Sequence, residues 1–316
     1  MKIISWNVNG IRSNILDTNT AKYKKPRIIA EDCPLDKIIR QYDPDIICFQ
    51  ETRLGTDLYH LFQSPEILEK FPYQYWSSSQ GDKHRGGNRY SGTSIWSKYP
   101  AKKVLYDIPK LLDQEGRFIQ LEFENFILIT TYTPNTGSNW KYRLESWEPT
   151  IRNHLAQLSE GELPVIYCGD NNIANKNDVW FGDLLEKRWE LEEDPKKKKK
   201  LQAKVKSKEP LHTGQVILCG YSREEKEAYS QLLEKANLID AHHKLYPDNI
   251  DQFTYFSIRM KDSFKNNQGW LIDRFLVTKK HQEIIQESKI LSEIGIRNSK
   301  GVFLSDHIPI LLEIMI

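Results

Sequence analysis

Apolar positions along the chain fall in short, β-branched runs separated by turn residues. They cover Ile3-Ile4-Ser5-Trp6 and residues 45–49, 93–96, 126–132, 165–168, 271–277 and 308–314. Runs of this length and composition predict strands. Several are nearly continuous in apolar residues rather than alternating, which implies burial on both faces and helices laid over sheets. Helical stretches fall between them, at 34–41, 140–158 and 223–237. Ser222 followed by Glu225 is an S-x-x-E capping box at the start of the last. Strands and helices alternate without a linker rich in Gly, Ser or Pro, and no repeat divides the chain, so a single domain over 1–316 is expected. Two segments read as insertions, near 17–32 and 181–220. The second contains Pro195 followed by Lys196 through Lys200. That run suits a DNA contact, a nuclear signal or simply a solvated helix face.

Composition narrows the setting. Charged residues at 28% and apolar residues at 39% fit an ordinary globular protein. No apolar stretch approaches the roughly 20 residues of a membrane span. The opening MKIISWNVNG lacks the apolar core of a signal peptide. An intracellular location is therefore expected, in cytoplasm or nucleoid, or in the nucleus for a eukaryotic or viral source. Cys33, Cys48, Cys168 and Cys219 form no C-x-x-C pair. Cys48 and Cys168 lie in apolar runs, where a free thiol acts as a small hydrophobe. Neither a zinc site nor a disulfide framework is expected, and a reducing compartment follows. The net charge of +2 excludes no partner, because nucleic-acid binding needs a local basic surface rather than a basic average.

Four short segments carry candidate chemistry: SWNVNG (5–10), QET (50–52), GDNN (169–172) and SDH (305–307). Each borders an apolar run, so strand ends would aim their side chains into one mouth. Together they supply hard oxygen ligands, amides and an imidazole. Cleaving a phosphodiester needs a base for water, donors or a cation for the growing charge, and help for the leaving oxygen. Mg²⁺ suits this work because it prefers oxygen ligands and needs only one or two carboxylates. Glu51 is the first candidate ligand and Asp306 the second acid. Asp170 and Asn172 are i, i+2 and share a face if the segment stays extended; an Asn/Asp-rich turn fits the same letters. Asp273 is an acid embedded in an apolar strand and needs a partner. Either His307, whose tautomer it would fix, or the adjacent Arg274 would serve. Tyr132 and Asn135 sit where a strand meets Pro134 and could face the same mouth. His242 and His243 are expected to be surface or packing residues.

The stretches KIISWNVNGIR, DIICFQETRL, YSGTSIWSK, EGRFIQLEF, YTPNTG, CGDNNIA, GWLIDRFLV and SDHIPI run from end to end of the chain. Together they resemble the exonuclease III family of AP endonucleases, within the endonuclease/exonuclease/phosphatase superfamily. The resemblance implies an α/β four-layer sandwich of two packed mixed β-sheets flanked by helices. It also implies a Mg²⁺-dependent enzyme (Mn²⁺ as a substitute) cutting double-stranded DNA 5′ to abasic sites, with 3′–5′ exonuclease and 3′-phosphodiesterase activities. Abasic or 3′-blocked duplex would be the partner, and the protein a monomer. By the same resemblance Glu51 is the main metal ligand, with Asn7, Asn9, Asp170, Asn172, Asp306 and His307 around it. Asp170 would position or deprotonate water. Asn172, Asn7, Tyr132 and His307 would hold the phosphate, with Asp273 orienting His307 and Asn135 in support. Arg12, Tyr90 and Arg117 match positions near the DNA path. Trp270, Tyr255 and Ile272 would wall a pocket for a flipped-out abasic sugar, the cheapest nucleotide to extrude, although Trp270 also reads as core. The strand before GWLID would lie at 253–257.

Two departures stand out. Many family members carry Asp where this chain has Asn9, which lowers the negative charge near Glu51. Asn171 stands where relatives are usually apolar or aromatic. Competing readings are a superfamily relative acting on another phosphoester, a retrotransposon-type nicking endonuclease, and a catalytically silent DNA-binding module.

Overall fold

The computed structural model describes residues 1–12, 33–80, 89–137, 140–175, 178–180, 193–206, 219–248, 251–296 and 304–316. Among the described residues twelve strands form two six-stranded sheets, ordered β11-β12-β1-β2-β4-β3 and β5-β6-β7-β8-β10-β9. In the first sheet β1 (Lys2–Asn7) runs parallel to β2 (Ile46–Gln50), and β12 (Ile310–Ile314) is antiparallel to β1. β3 (Tyr73–Ser77), β4 (Thr93–Ser97) and β11 (Ile285–Ile290) complete it. In the second, β7 (Ile127–Tyr132) runs parallel to β8 (Val165–Asp170), and β10 (Asp273–Thr278) is antiparallel to β8. The remaining strands are β5 (Lys103–Leu105), β6 (Phe118–Glu122) and β9 (Leu238–Asp240).

The nearly continuous apolar runs follow from this stacking. Successive strand residues point to opposite faces. Ile3, Ile46 and Cys48 therefore meet Leu128, Ile166, Cys168 and Phe275 of the other sheet. Ile4, Trp6, Ile47 and Phe49 pack outward against Leu35 and Ile38 of α1 (Pro34–Tyr42) and Ile67 of α2 (Pro65–Lys70). On the far side Ile129, Val165 and Tyr167 meet Ile151 and Leu155 of α3 (Glu148–Glu160) and Tyr229 and Leu232 of α5 (Arg223–Lys235). Three cores between four layers bury most positions of the central strands. All four cysteines are free thiols.

The expected capping box is present: Ser222 Oγ accepts from Glu225 N, and Glu225 accepts from Ser222 N. The expected helix at 140–158 contains one π-helical turn, Tyr142–Trp147, before α3 begins. The stretch 253–257 is not a strand. Within it Tyr255 bridges both Trp270 and His307, and Thr254 Oγ1 accepts from Ile272 N and Asp273 N. Segment 17–32 lies outside the described residues. Of 181–220, residues 193–206 and 219–220 are described. There Pro195–Lys206 forms α4, whose lysines 196, 197, 199 and 200 are exposed. Among the described residues no helix is long and apolar enough to cross a membrane.

Candidate active site

The two parallel pairs bring four strand ends to one edge of the sandwich. β1 ends in Asn7, β2 leads into Glu51, β7 ends in Tyr132 and β8 ends in Asp170. The antiparallel β10 begins there with Asp273, paired across the ladder with Asp170. His307 stands just before β12. Gly169 is required at this edge: its φ is +132°, and a Cβ would lie 2.0 Å from the Thr131 carbonyl oxygen.

Asn7 is fully buried and holds the centre. Its Nδ2 donates to Glu51 Oε1 and to Asp170 Oδ2, each at 3.0 Å. Its Oδ1 accepts from Asn9 N at 3.1 Å. Both ends of the amide are therefore in use, and Asn7 bridges the two carboxylates. Asn9 has a left-handed backbone (φ 46°) and donates Nδ2 to Asp306 Oδ1 at 2.9 Å. Ser305 Oγ donates to Asn7 O at 2.7 Å and accepts from His307 N, while Trp6 Nε1 donates to His307 O at 3.1 Å. The N- and C-terminal motifs are thereby fastened together.

His307 Nδ1 lies 2.8 Å from Asp273 Oδ2, and its Nε2 faces Asp170 Oδ2 at 3.8 Å. Asp273 thus takes the imidazole as partner. Arg274 turns to the opposite face and pairs with Asp178 and Asp240. Burial disfavours charge on His307, but the Asp273 and Asp170 carboxylates outweigh it and push its pKa up to about 10. Burial pushes Asp170 up to about 7, with Asp273 and Glu51 adding to the shift and His307 opposing it. Burial also raises Glu51, but the Arg53 guanidinium and hydrogen bonds from Asn7 and Tyr132 reverse this and hold it below the usual carboxylate range. Arg53 pairs with Glu51 Oε2 through Nε at 3.0 Å and through Nη2. Burial and the Glu51 charge keep the Tyr132 phenol protonated far above its ordinary range.

The extended reading of Asp170 and Asn172 does not hold. β8 ends at Asp170 and Asn172 is left-handed (φ 48°), so the segment turns. Asn172 N donates to Asp170 Oδ1 at 2.9 Å, and its Nδ2 donates to Thr133 O at 2.8 Å. A fully buried arginine that the sequence did not single out fixes this turn. Arg143, in the π-helical turn, donates to Asn172 O at 2.7 Å and Asn171 O at 3.0 Å, and pairs with Glu148 and Glu225. Such turns commonly mark functional sites, but nothing in the local letters announces one.

Arg117 is buried rather than available to a ligand. Burial opposes its charge, but the Tyr132 and Glu115 oxygens outweigh that. Its guanidinium stacks 4.3 Å from the Tyr132 ring centroid, pairs with Glu115 at 2.7 Å and donates to Tyr132 O and Tyr90 Oη. It braces Tyr132 from beneath. Asn135 is exposed and accepts from Gly137 N at 3.0 Å, a loop-fixing contact. Arg12 is half-buried at the end of a described segment. Trp270 is half-buried and gathers with Ala174, Val179, Tyr221, Tyr255 and buried Ile272. The Tyr255 ring lies 5.1 Å from the His307 ring, which joins this cluster to the same edge. His243 is no bystander: it pairs with Asp178 at 3.0 Å and Asp240 at 3.3 Å.

The donor set at this edge is carboxylate and amide oxygen with one imidazole, which fits a hard divalent cation. Among the described residues, Asp170, Asp273 and His307 present ligand atoms within 4.8 Å of one another. Asp273 Oδ1 is buried there without a hydrogen-bond partner. The carboxylates of this cluster fit such a cation.

Residues 4–307 match the Endonuclease/Exonuclease/phosphatase family. An exodeoxyribonuclease of Bacillus subtilis is 31% identical over 320 residues, covering 100% of both chains. The DNA repair nuclease APEX1 of Danio rerio is 31% identical over 99% of this chain and 81% of that protein. An AP endonuclease from Archaeoglobus fulgidus has the same fold, with a TM-score of 0.69 at 20% identity over 100% of both chains. With the family matched across nearly its whole length, the chain belongs to the Endonuclease/Exonuclease/phosphatase family, among the exodeoxyribonucleases and AP endonucleases.

Proposed function

We propose that this protein is a Mg²⁺-dependent DNA repair phosphodiesterase that cuts double-stranded DNA 5′ to abasic sites and removes 3′-blocking groups. Mn²⁺ is the natural substitute cation. The observation that carries the reading is one edge where Asp170, His307 and protonated Tyr132 converge beside the Trp270–Tyr255–Ile272 cluster.

Glu51 and Asp306 are the carboxylates that would hold the cation, beside the Asp170–Asn7 bridge. When bound, it screens the acidic cluster and stabilises charge growing on the phosphate oxygens. The chain's own groups divide the remaining work. Asp170, raised to about 7 and pinned by Asn7 and the Asn172 N–H, accepts the proton of the attacking water. His307 presents a charged Nε2–H toward the phosphate, its other nitrogen fixed by Asp273. Tyr132 donates its phenolic hydrogen, with Arg117 as its brace. Trp270, Tyr255 and Ile272, which pack together beside His307, would wall the pocket for a sugar lacking its base.

One gel tests this. A duplex with one abasic analogue, an intact duplex and a 3′-recessed duplex are incubated with Mg²⁺ or EDTA. Incision 5′ to the analogue only with Mg²⁺ is expected. Binding without incision would leave a silent DNA-binding module.

A further inference from the structure

Behind the aromatic cluster lies a closed set of four charges, Arg274, His243, Asp178 and Asp240. Arg274 is fully buried and donates to Asp240 Oδ2 at 2.7 Å, Asp178 Oδ2 at 2.6 Å and Leu271 O at 3.0 Å. His243, from α6 (Ala241–Leu245), joins Asp178 through Nε2 and Asp240 through Nδ1. Tyr229 of α5 donates to Asp240 Oδ2 at 3.3 Å. Asp178 is the hub. Asn175 N donates to its Oδ2, and its own carbonyl accepts from Leu271 N at 2.7 Å. Val179 then bridges Trp270, and Trp180 N donates to Gly269 O. The backbone at 178–180 is thus stitched to the backbone that carries Trp270. Asp273 and Arg274 are neighbours on β10 and point to opposite faces. One strand therefore aims Asp273 at His307 and Arg274 at the anchor of the aromatic wall.

We propose that Arg274 and His243 are positioning residues which, through Asp178, hold the Val179–Trp270–Ile272 wall in register with the catalytic edge and so set selectivity for a base-free sugar. This rests on the pocket reading given above. The charges balance: two cations face two carboxylates. Burial alone would raise Asp178, but Arg274 and His243 hold it at about 2. Hydrogen bonds to Asp178 and Asp240 outweigh burial and push His243 up to about 9. The groups facing His243 are those two carboxylates, Arg274, and His242, which burial keeps below its ordinary pKa. Losing the His243 charge leaves a buried carboxylate under-compensated, a costly state in a low-dielectric interior. The anchor of the wall then loosens.

The test measures binding of the full-length protein to a duplex with a tetrahydrofuran abasic analogue and to the matched intact duplex. It is run from pH 7 to 10 on wild type, His243→Gln and His243→Arg. His243→Gln should lose about tenfold in abasic preference at pH 7, since small misplacements of a binding wall weigh heavily, with intact-duplex affinity unchanged. Wild type should lose the same preference as pH passes about 9. His243→Arg should keep it across the range, because its charge does not titrate there. A wild-type preference that neither pH nor His243→Gln alters overturns the positioning role alone. A wild type with no abasic preference at any pH overturns the pocket reading and this proposal together.

Discussion

Asn9 gives its side-chain amide to Asp306 Oδ1 at 2.9 Å, joining residues 297 positions apart in the chain. The bond changes what the missing charge at Asn9 means. Asn9 is not simply a weaker ligand: it satisfies Asp306 by hydrogen bonding. Asn9→Asp would set two carboxylates against each other and remove a bond to a charged acceptor. Without metal this should cost about 1–3 kcal/mol. A divalent cation placed between the two acids should recover it. Thermal unfolding with EDTA and with Mg²⁺ reads both effects. The Mg²⁺-induced rise in Tm should be larger in Asn9→Asp than in wild type; equal rises would mean Asp306 does not face the cation.

Glu51 is the carboxylate whose two oxygens are already divided, one to Asn7 and one to Arg53. Glu51→Gln keeps an oxygen but loses the charge. Activity at limiting Mg²⁺ should fall roughly 10²–10³-fold, as losses of charge stabilisation at such sites do. High Mg²⁺ should restore part of it. Unchanged activity at limiting Mg²⁺ would remove Glu51 from the site.

Much of this edge was legible because strand ends carry their motifs in sequence. Asn7, Glu51, Tyr132 and Asp170 each follow an apolar run, and parallel pairing brings such ends together. What failed needed three dimensions. Asp170 and Asn172 read equally as strand or turn, and Arg143, 29 residues before Asn172, decides for the turn. The resemblance alone places Arg117 near the DNA path; here Tyr132 and Glu115 bury it. Arg274 was one of two candidate partners for Asp273, and only the pleat of β10 shows that it faces away. His243 looked incidental because Asp178 arrives from a distant segment, although Asp240 stands only three residues before it. The three-residue strands β5 and β9 are too short to leave a period.

Asp170 and His307 act as a unit, and their variants should separate chemistry from binding. Asp170→Asn keeps shape and removes the base, so turnover should drop roughly 10²–10⁴-fold while abasic-duplex binding survives or tightens. His307→Ala should lose turnover comparably. Asp273→Asn should lose less, because it acts through His307. Single-turnover cleavage beside equilibrium binding measures the split. Near-wild-type turnover in Asp170→Asn would overturn the assignment of the base.

The four-charge cluster should also appear in stability against pH. His243 has a folded pKa of about 9, above the ordinary value near 6.5. Its contribution is therefore complete below about pH 6.5 and is lost as pH rises through 9. Wild-type Tm should decline between those limits beyond any decline seen in His243→Gln. Parallel Tm curves for the two proteins would show that the histidine is not coupled to folding.

Trp270 tests wall against core. It is half-buried, shares its cluster with Tyr221 and Tyr255, and its backbone bridges both Val179 and Tyr255. A fully buried aromatic costs about 3–5 kcal/mol on truncation to Ala. A half-exposed one forfeits less of its burial, so Trp270→Ala should cost roughly 1–2 kcal/mol. The larger effect should be on selectivity. With the ring gone, the pocket no longer rejects a nucleotide that carries its base, and the ratio of abasic to intact cleavage should fall at least about tenfold. Denaturant unfolding and cleavage of both duplexes, on one preparation, decide the matter. A loss of 3 kcal/mol or more with the ratio intact would make Trp270 a core residue and leave the pocket without its wall.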